Sequence, residues 1–169
     1  MFNIKIKEIK CVQLRVPSSD LHRTQKRRDA WAVDAEVANP MSKYNKYKRH
    51  RSLWLPKWSG VWVKITAEDG TWGLGSTSAA GPVNAIIEGH FAPMLEGENC
   101  FAREKAWDMM FRMSKPYGTL GLSCLAMSAI DLALWDLAGK IEKRPVYELL
   151  GGPAKDKVFT YATGNDVDW

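Results

Sequence analysis

The sequence predicts an α+β fold in which a three-stranded antiparallel sheet is followed by a helical bundle. Short runs of alternating apolar and polar residues come first in the chain, and alternation is the period of a half-buried strand. Later segments carry apolar residues at three- and four-residue steps, which is the period of a helical face. A tight-turn signal between two of the alternating runs indicates a hairpin.

The three strands are predicted over residues 3–16, Val61–Ala67 and Trp72–Thr77. A change of phase near Ile9 indicates a β-bulge in the first strand. The turn between the second and third strands is predicted at 68–70, because its glycine adopts positive φ without a Cβ clash.

Two helices are predicted after the sheet. Pro82 is typical of a first helical turn, so a helix should cover 83–90 or extend beyond it. The residues up to 95 should then lead into a loop around 97–100. A second helix is predicted over 101–113. Its apolar set is expected to pack in the core, and consists of Phe101, Trp107, Met110, Phe111 and Met113.

The most regular helix is predicted over 122–141, where nine apolar residues follow one helical face. Small residues on this segment would let another backbone approach closely. We expect Pro145 to end the helix, because proline cannot donate the next hydrogen bond. A short turn over 146–150 and a strand over 157–163 complete the prediction.

The charge of this 169-residue chain is concentrated in one segment. The net charge is +5, yet residues 20–60 alone hold ten Lys and Arg against four Asp and Glu. The segment from 21 to 59 also lacks sustained periodicity. A loop this long inside a compact domain is either functional or a misread element, and we favour a functional loop. Such a basic loop could meet nucleic acid or could draw an anionic small molecule into a cleft.

Composition places the chain among ordinary globular proteins, with 46% hydrophobic and 25% charged residues. The sequence contains no run of about 18 apolar residues, so no membrane span is predicted. The N-terminus lacks the apolar stretch of a signal peptide. Cys11, Cys100 and Cys124 are odd in number and widely separated. Buried thiols of a cytoplasmic protein are therefore expected in preference to disulfides.

The segment from Ala126 to Gly152, AMSAIDLALWDLAGK, four residues, PVYELLGG, resembles the signature of the mandelate racemase and muconate lactonising group of the enolase superfamily. The positions of Asp131, Trp135, Asp136, Gly139 and Lys140 are not required by amphipathicity, which makes the match specific. The resemblance implies an enolase N-terminal-like capping domain over residues 1–152. Residues 153–169 would then begin the first strand of a (β/α)₈ barrel that is missing from the chain.

A second segment, NPMSKYNKYKRHR at 39–51, resembles the loop of the rhamnonate dehydratase group of acid-sugar dehydratases. FTYATG at 159–164 is similar to the same group. The resemblance implies a substrate-specificity loop at about 17–60, in which Arg51 binds the substrate. An Arg suits a carboxylate because its guanidinium donates two parallel hydrogen bonds. Ala30 stands before Trp31 where the group has a His, which leaves the particular sugar acid open.

The chemistry that the resemblance implies is loss of water from an anionic sugar acid to give a 2-keto-3-deoxy product, with Mg²⁺ stabilising the enediolate. The catalytic and metal-binding residues of this superfamily belong to the barrel, so no catalytic and no metal residue is expected in this chain. Asp131 and Asp136 are interpreted as structural or solvated, as are Asp166 and Asp168.

Two hypotheses follow for this chain. It is either the N-terminal capping portion of an acid-sugar dehydratase that is inactive without its barrel, or a stand-alone binding or assembly module. The first implies the barrel as a partner, in the same chain or in another, and a homo-oligomer when full length. Neither nucleic acid nor a membrane is expected as a partner.

Overall fold

The computed structural model describes residues 3–14, 40–48 and 56–161. The chain divides into two compact units. Met1–Arg15 and Trp58–Ala154 form the first, and Val16–Lys57 and Lys155–Trp169 form the second.

The first unit is built on a three-stranded sheet in the order β1-β2-β3. The strands are β1 (Ile6–Val12), β2 (Val61–Ala67) and β3 (Trp72–Thr77), and both pairings are antiparallel. This confirms the predicted sheet. Strand β1 is shorter than the predicted 3–16, of which residues 15 and 16 lie outside the described part.

The predicted β-bulge is present in β1. Ile6 pairs with Ala67, yet Glu8 pairs with the very next residue of β2, Thr66, so that Lys7 is the extra residue. A bulge shifts the side-chain alternation by one residue. For that reason Ile6 and Ile9 can both be buried although they are three residues apart.

The turn between β2 and β3 also forms as predicted. Gly70 has a φ of 86°, and the Ala67 N–H donates to the Thr71 carbonyl at 2.8 Å. Asp69 Oδ1 accepts the Thr71 N–H at 2.8 Å. Hydrogen-bonded and non-hydrogen-bonded residue pairs alternate along an antiparallel ladder. Because Ala67 and Thr71 form a hydrogen-bonded pair, the 65–73 and 63–75 pairs are hydrogen-bonded too.

The first helical stretch extends beyond residue 90, as the prediction allows, and contains a π-helical turn that was not predicted. Helix α1 (Ala80–Ile86) continues through a π-helical turn (Ile87–Phe91) into α2 (Ala92–Leu95). Pro93 cannot donate to the carbonyl four residues before it, and the widened turn, in which the Ala92 N–H donates to Ile87 O, accommodates this within the helix. The helical stretch ends at Leu95, so the loop predicted around 97–100 follows it as expected.

Helix α3 (Arg103–Ser114) buries a narrower face than predicted. Ala106, Met110 and Ser114 form its buried stripe at four-residue spacing. Trp107 and Phe111 lie one position further around the helix and are 37% and 40% exposed. The expectation that these two aromatic residues belong to the core is wrong.

Helix α4 (Leu122–Glu142) lies within one residue of its predicted bounds. Its end differs from the prediction, because Lys143 already adopts the left-handed conformation with a φ of 53°. The Arg144 N–H then donates to Gly139 O at 2.9 Å, which is a Schellman closure. The helix therefore ends before Pro145, and the predicted turn after it is a short helix, α5 (Val146–Leu149).

The core of the first unit lies between the sheet and α4. Val63, Ile65 and their neighbours on the inner face of the sheet are fully buried against helix residues. Strand β3 presents Gly73 and Gly75 to the helix. A Cβ at either position would come closer than 3.0 Å to backbone atoms of α4, so only glycine fits.

The second unit has short elements in its described residues. Two 3₁₀ helices, Pro40–Lys43 and Asn45–Tyr47, lie within the predicted loop. Residues 157–161 form no strand, and Phe159 is 90% exposed. The strand predicted there does not form over these residues, because a strand needs a neighbouring strand and none of the described strands pairs with them.

The glycine contact generates a stability prediction. Gly75→Ala should destabilise the chain by about 1–3 kcal/mol or more, because the added methyl must displace helix backbone. The matched control is Gly81→Ala, since a Cβ at Gly81 meets nothing within 4 Å, and alanine favours the helix by about 0.5–1 kcal/mol. Chemical denaturation measures both, and equal effects would contradict the packing.

Candidate functional site

The predicted substrate-binding residue, Arg51, lies outside the described residues. His22, His50, Ala30 and Trp31, which belong to the same predicted loop, lie outside them as well. The described parts of this loop are residues 40–48 and 56–60, and the segment from Pro40 to Lys48 lies nearest to Arg51 in the sequence.

That segment is basic and aromatic. The Tyr47 N–H donates to the Tyr44 carbonyl at 2.9 Å and closes one 3₁₀ turn. Tyr44 is exposed, and Lys46 Nζ lies 5.5 Å from the Tyr47 ring centroid. The segment thus holds cationic and aromatic side chains directly before the predicted Arg51.

In the first unit, signature residues of α4 bind strand β3 of the sheet. Asp136 Oδ2 accepts the Leu74 N–H of β3 at 2.8 Å and pairs with Lys140 Nζ at 2.7 Å. Lys140 Nζ also lies 3.8 Å from the Trp72 ring centroid. Gly139 leaves room for Arg144, whose carbonyl oxygen would lie 2.9 Å from an added Cβ. These contacts tie α4 to β3 and to the turn that follows it.

The first unit also contains an open cleft of about 610 Å³ between α3 and α4. The Arg103 guanidinium lies 3.7 Å from the Trp135 ring centroid, which is a cation–π contact. Trp107 and Asp131 line the same cleft. Arg103 Nη1 is buried and has no hydrogen-bond partner among the described residues. No local pattern predicts this Arg–Trp pair, because its members are 32 positions apart in the chain.

Asp131 is the titratable group of the cleft with a shifted pKa. Partial burial raises the pKa of its carboxyl above the ordinary 3.8, and the charge of Arg103 opposes this rise. Two other titratable side chains line the cleft, Glu104 and Lys105, but both are exposed, and Lys105 is paired with Glu98 at 2.6 Å. The remaining lining residues are Phe101, Ala102, Arg103, Trp107 and Trp135. The cleft can bind, but these side chains do not form a catalytic constellation.

No group of three His, Cys, Asp or Glu side chains in the described part of the chain could hold a metal ion. Asp136 is engaged with Leu74 and Lys140, as a structural residue would be. Asp166 and Asp168 lie outside the described residues. The described side chains therefore do not fit a Mg²⁺ site.

The three cysteines are free thiols. Cys100 is buried, whereas Cys11 and Cys124 are partly buried. Burial raises the pKa of both Cys11 and Cys100 to about 11. A thiol with so high a pKa is a poor nucleophile at neutral pH, so these two cysteines are structural.

One further polar pair was not predicted. His90 Nδ1 and Tyr117 Oη lie 2.7 Å apart, beside a shallow depression that Ala85, Ile86 and Gly89 also line. Desolvation raises the pKa of Tyr117 above its ordinary value. The pair joins the π-helical turn to the segment before α4.

Among the described helices, α4 is long and apolar enough to cross a membrane by length and composition. More than half of it is buried inside the fold, and its buried face packs against the strands. The core helix of a globular domain passes the same length and composition test.

The sheet, the helices that follow it and the α4 signature together define a capping domain of the enolase type. Residues 55–151 match the N-terminal domain of the mandelate racemase / muconate lactonizing enzyme family. The chain belongs to this family.

Individual relatives point to one branch. The chain is 42% identical over 166 residues to the L-rhamnonate dehydratase of Saccharopolyspora erythraea. The aligned region covers 98% of this chain and 42% of that enzyme. The crystal structure of the rhamnonate dehydratase from Gibberella zeae complexed with Mg superposes with a TM-score of 0.77 at 34% identity, covering 90% of this chain and 38% of that one. The crystal structure of L-rhamnonate dehydratase from the same fungus superposes with a TM-score of 0.76 at 33% identity, covering 90% of this chain and 36% of that one. The chain thus spans well under half the length of these relatives.

The shifted pKa of Asp131 generates a pH prediction. Because its folded-state pKa is raised, the folded chain holds this proton more tightly than the unfolded chain, and ionisation lowers stability as pH rises through that pKa. Asp131→Asn should therefore raise the thermal midpoint at pH 7, and the gain should shrink as pH falls toward about 4.

The control for this prediction is Asp108→Asn, which removes an exposed pair with Arg112. This change should leave the midpoint at pH 7 unchanged or slightly lower. A midpoint for Asp131→Asn below that of the wild type at pH 7 would show that the carboxylate is stabilising there.

Proposed function

We propose that this chain is the capping part of an acid-sugar dehydratase that removes water from rhamnonate-like acids to give 2-keto-3-deoxy acids. The observation that carries the proposal is the 42% identity, over nearly the whole chain, to an enzyme named L-rhamnonate dehydratase. Fold similarity to the two Gibberella zeae structures supports it independently of the signature in α4.

The chain's own contribution is substrate recognition. Residues at about 17–60 form the specificity loop, which carries the chain's basic excess, and an excess of cations attracts a carboxylate. Arg51 binds the acid group through two parallel hydrogen bonds. The described segment just before it adds exposed Tyr44 and the Lys46–Tyr47 pair.

The chemical step requires groups that the described residues do not supply. Neither the cleft nor any other described cluster joins a base to a metal site. We therefore assign catalysis and the Mg²⁺ ligands of the whole enzyme to the part of the relatives that this chain does not span. In the same proposal the enzyme is cytoplasmic, where its three free thiols stay reduced, and it assembles as a homo-oligomer.

The first test uses the chain alone. With L-rhamnonate and Mg²⁺, the 169-residue chain should form no 2-keto-3-deoxy acid in a semicarbazide assay, since the proposal assigns the catalytic groups to the part of the enzyme that this chain does not span. Turnover above the level of a heat-denatured sample would contradict the assignment of catalysis to another part of the enzyme.

The second test uses a chimera in which this chain replaces the matching 42% of the Saccharopolyspora erythraea enzyme. We expect dehydratase activity on rhamnonate or a close epimer. Arg51→Ala in the chimera should lower kcat/KM by about 10²-fold, because a charged hydrogen-bonded pair contributes about 1.5–3 kcal/mol. Arg49→Ala, two residues away in the same basic run, is the control and should change it little.

A further inference from the structure

The sheet of the first unit has two edges, β1 and β3, and no other described strand pairs with either. The outward N–H groups of an edge strand are open donors, which invite pairing with a strand of another chain. In this sheet several of these donors are already engaged, and three of the acceptors are carboxylates.

The β1 edge is engaged along its length. The Ile6 N–H donates to the carbonyl of Glu98 at 2.8 Å. After the bulge, the Ile9 N–H donates to Glu96 Oε1 at 3.0 Å and the Cys11 N–H to Glu88 Oε1 at 3.0 Å. Glu96 directly follows α2 and Glu88 lies in the π-helical turn, so both carboxylates come from the helical stretch beside β1.

The β3 edge is engaged at its centre. Because Gly73 and Gly75 belong to the hydrogen-bonded pairs with β2, the N–H of Leu74 between them points outward. It donates to Asp136 Oδ2 at 2.8 Å. Lys140 holds the same oxygen at 2.7 Å from one turn further along α4, which fixes the carboxylate in place.

We infer that Glu88, Glu96 and Asp136 close the sheet edges against strand addition by a second copy of this chain. Each carboxylate occupies a backbone donor that an incoming strand would need, at both open sides of the sheet. Glu96, Glu88 and Asp136 lie 87, 77 and 62 positions along the chain from the donors that they satisfy. These hydrogen bonds therefore form only when the helices pack against the sheet.

The test compares two triple variants of the 169-residue chain. In the first, Glu88→Ala, Glu96→Ala and Asp136→Ala remove the acceptors. In the second, Glu88→Gln, Glu96→Gln and Asp136→Asn remove the charges but keep an acceptor oxygen at each place. Light scattering after size exclusion, over a concentration series, should show the weight-average mass of the alanine variant rising about twofold or more above that of the wild type. The amide variant should stay close to the wild type.

Two results would overturn the inference. One is an alanine variant whose mass stays equal to that of the wild type. The other is an amide variant that associates as strongly as the alanine variant, since loss of charge alone would then explain the association.

A measurement on the wild type covers the case in which the alanine variant does not fold. Hydrogen exchange of the Ile9, Cys11 and Leu74 amides should be slow, as for donors bound to protein. Exchange of these three as fast as that of Leu120, which is 84% exposed, would show that the carboxylates do not close the edges.

Discussion

The close contact of β3 with α4 determines the rest of the first unit. Gly73 and Gly75 present no side chain to the helix, and a Cβ at either position would meet the carbonyl of Ala133 or Ala129. The two backbones therefore approach more closely than ordinary side chains permit. Because Ala129 and Ala133 are themselves small and fully buried, the helix seats directly on the strand. Its flanks then reach both the edge of β3 and helix α3.

This contact explains the family signature in physical terms. Asp136 satisfies Leu74 at the edge of β3, and Lys140 pairs with Asp136 while it covers the Trp72 ring. On another side of the helix, the Trp135 ring forms a cation–π contact with the Arg103 guanidinium. Four of the five residues that amphipathicity does not require fix the helix to its neighbours: Trp135, Asp136, Gly139 and Lys140. The signature therefore specifies how the domain is assembled, and the proposed substrate contacts belong to the other unit.

Local periodicity was sufficient to predict the regular elements. The bounds of α4 and of strands β2 and β3 follow from repeated burial of one face, which the sequence records directly. Where a residue's environment depends on a distant partner, prediction failed. Trp107 was expected in the core by its type, yet its position on α3 turns it toward an open cleft. The π-helical turn before Pro93 is likewise absent from the sequence prediction, because no local apolar pattern marks a widened turn.

The candidate site was predicted mainly through resemblance. Arg51 was found by its spacing after the PMSKY segment, and no local physical pattern distinguishes it from the other cations of the run. The Arg103–Trp135 contact and the carboxylates at the sheet edges could not be predicted, because each joins residues that only the folded chain brings together. Long-range pairs of this kind leave no trace in hydropathy or charge patterns.

Native-state hydrogen exchange tests most directly whether the β3–α4 contact organises the domain. If it does, the amides of α4 between Ala129 and Leu137 and those of Gly73 and Gly75 should exchange only through global unfolding. They should therefore share the highest exchange free energy in the chain. A set of α4 and β3 amides that exchange by local opening, at a free energy clearly below that of the β1–β2 amides, would contradict this account.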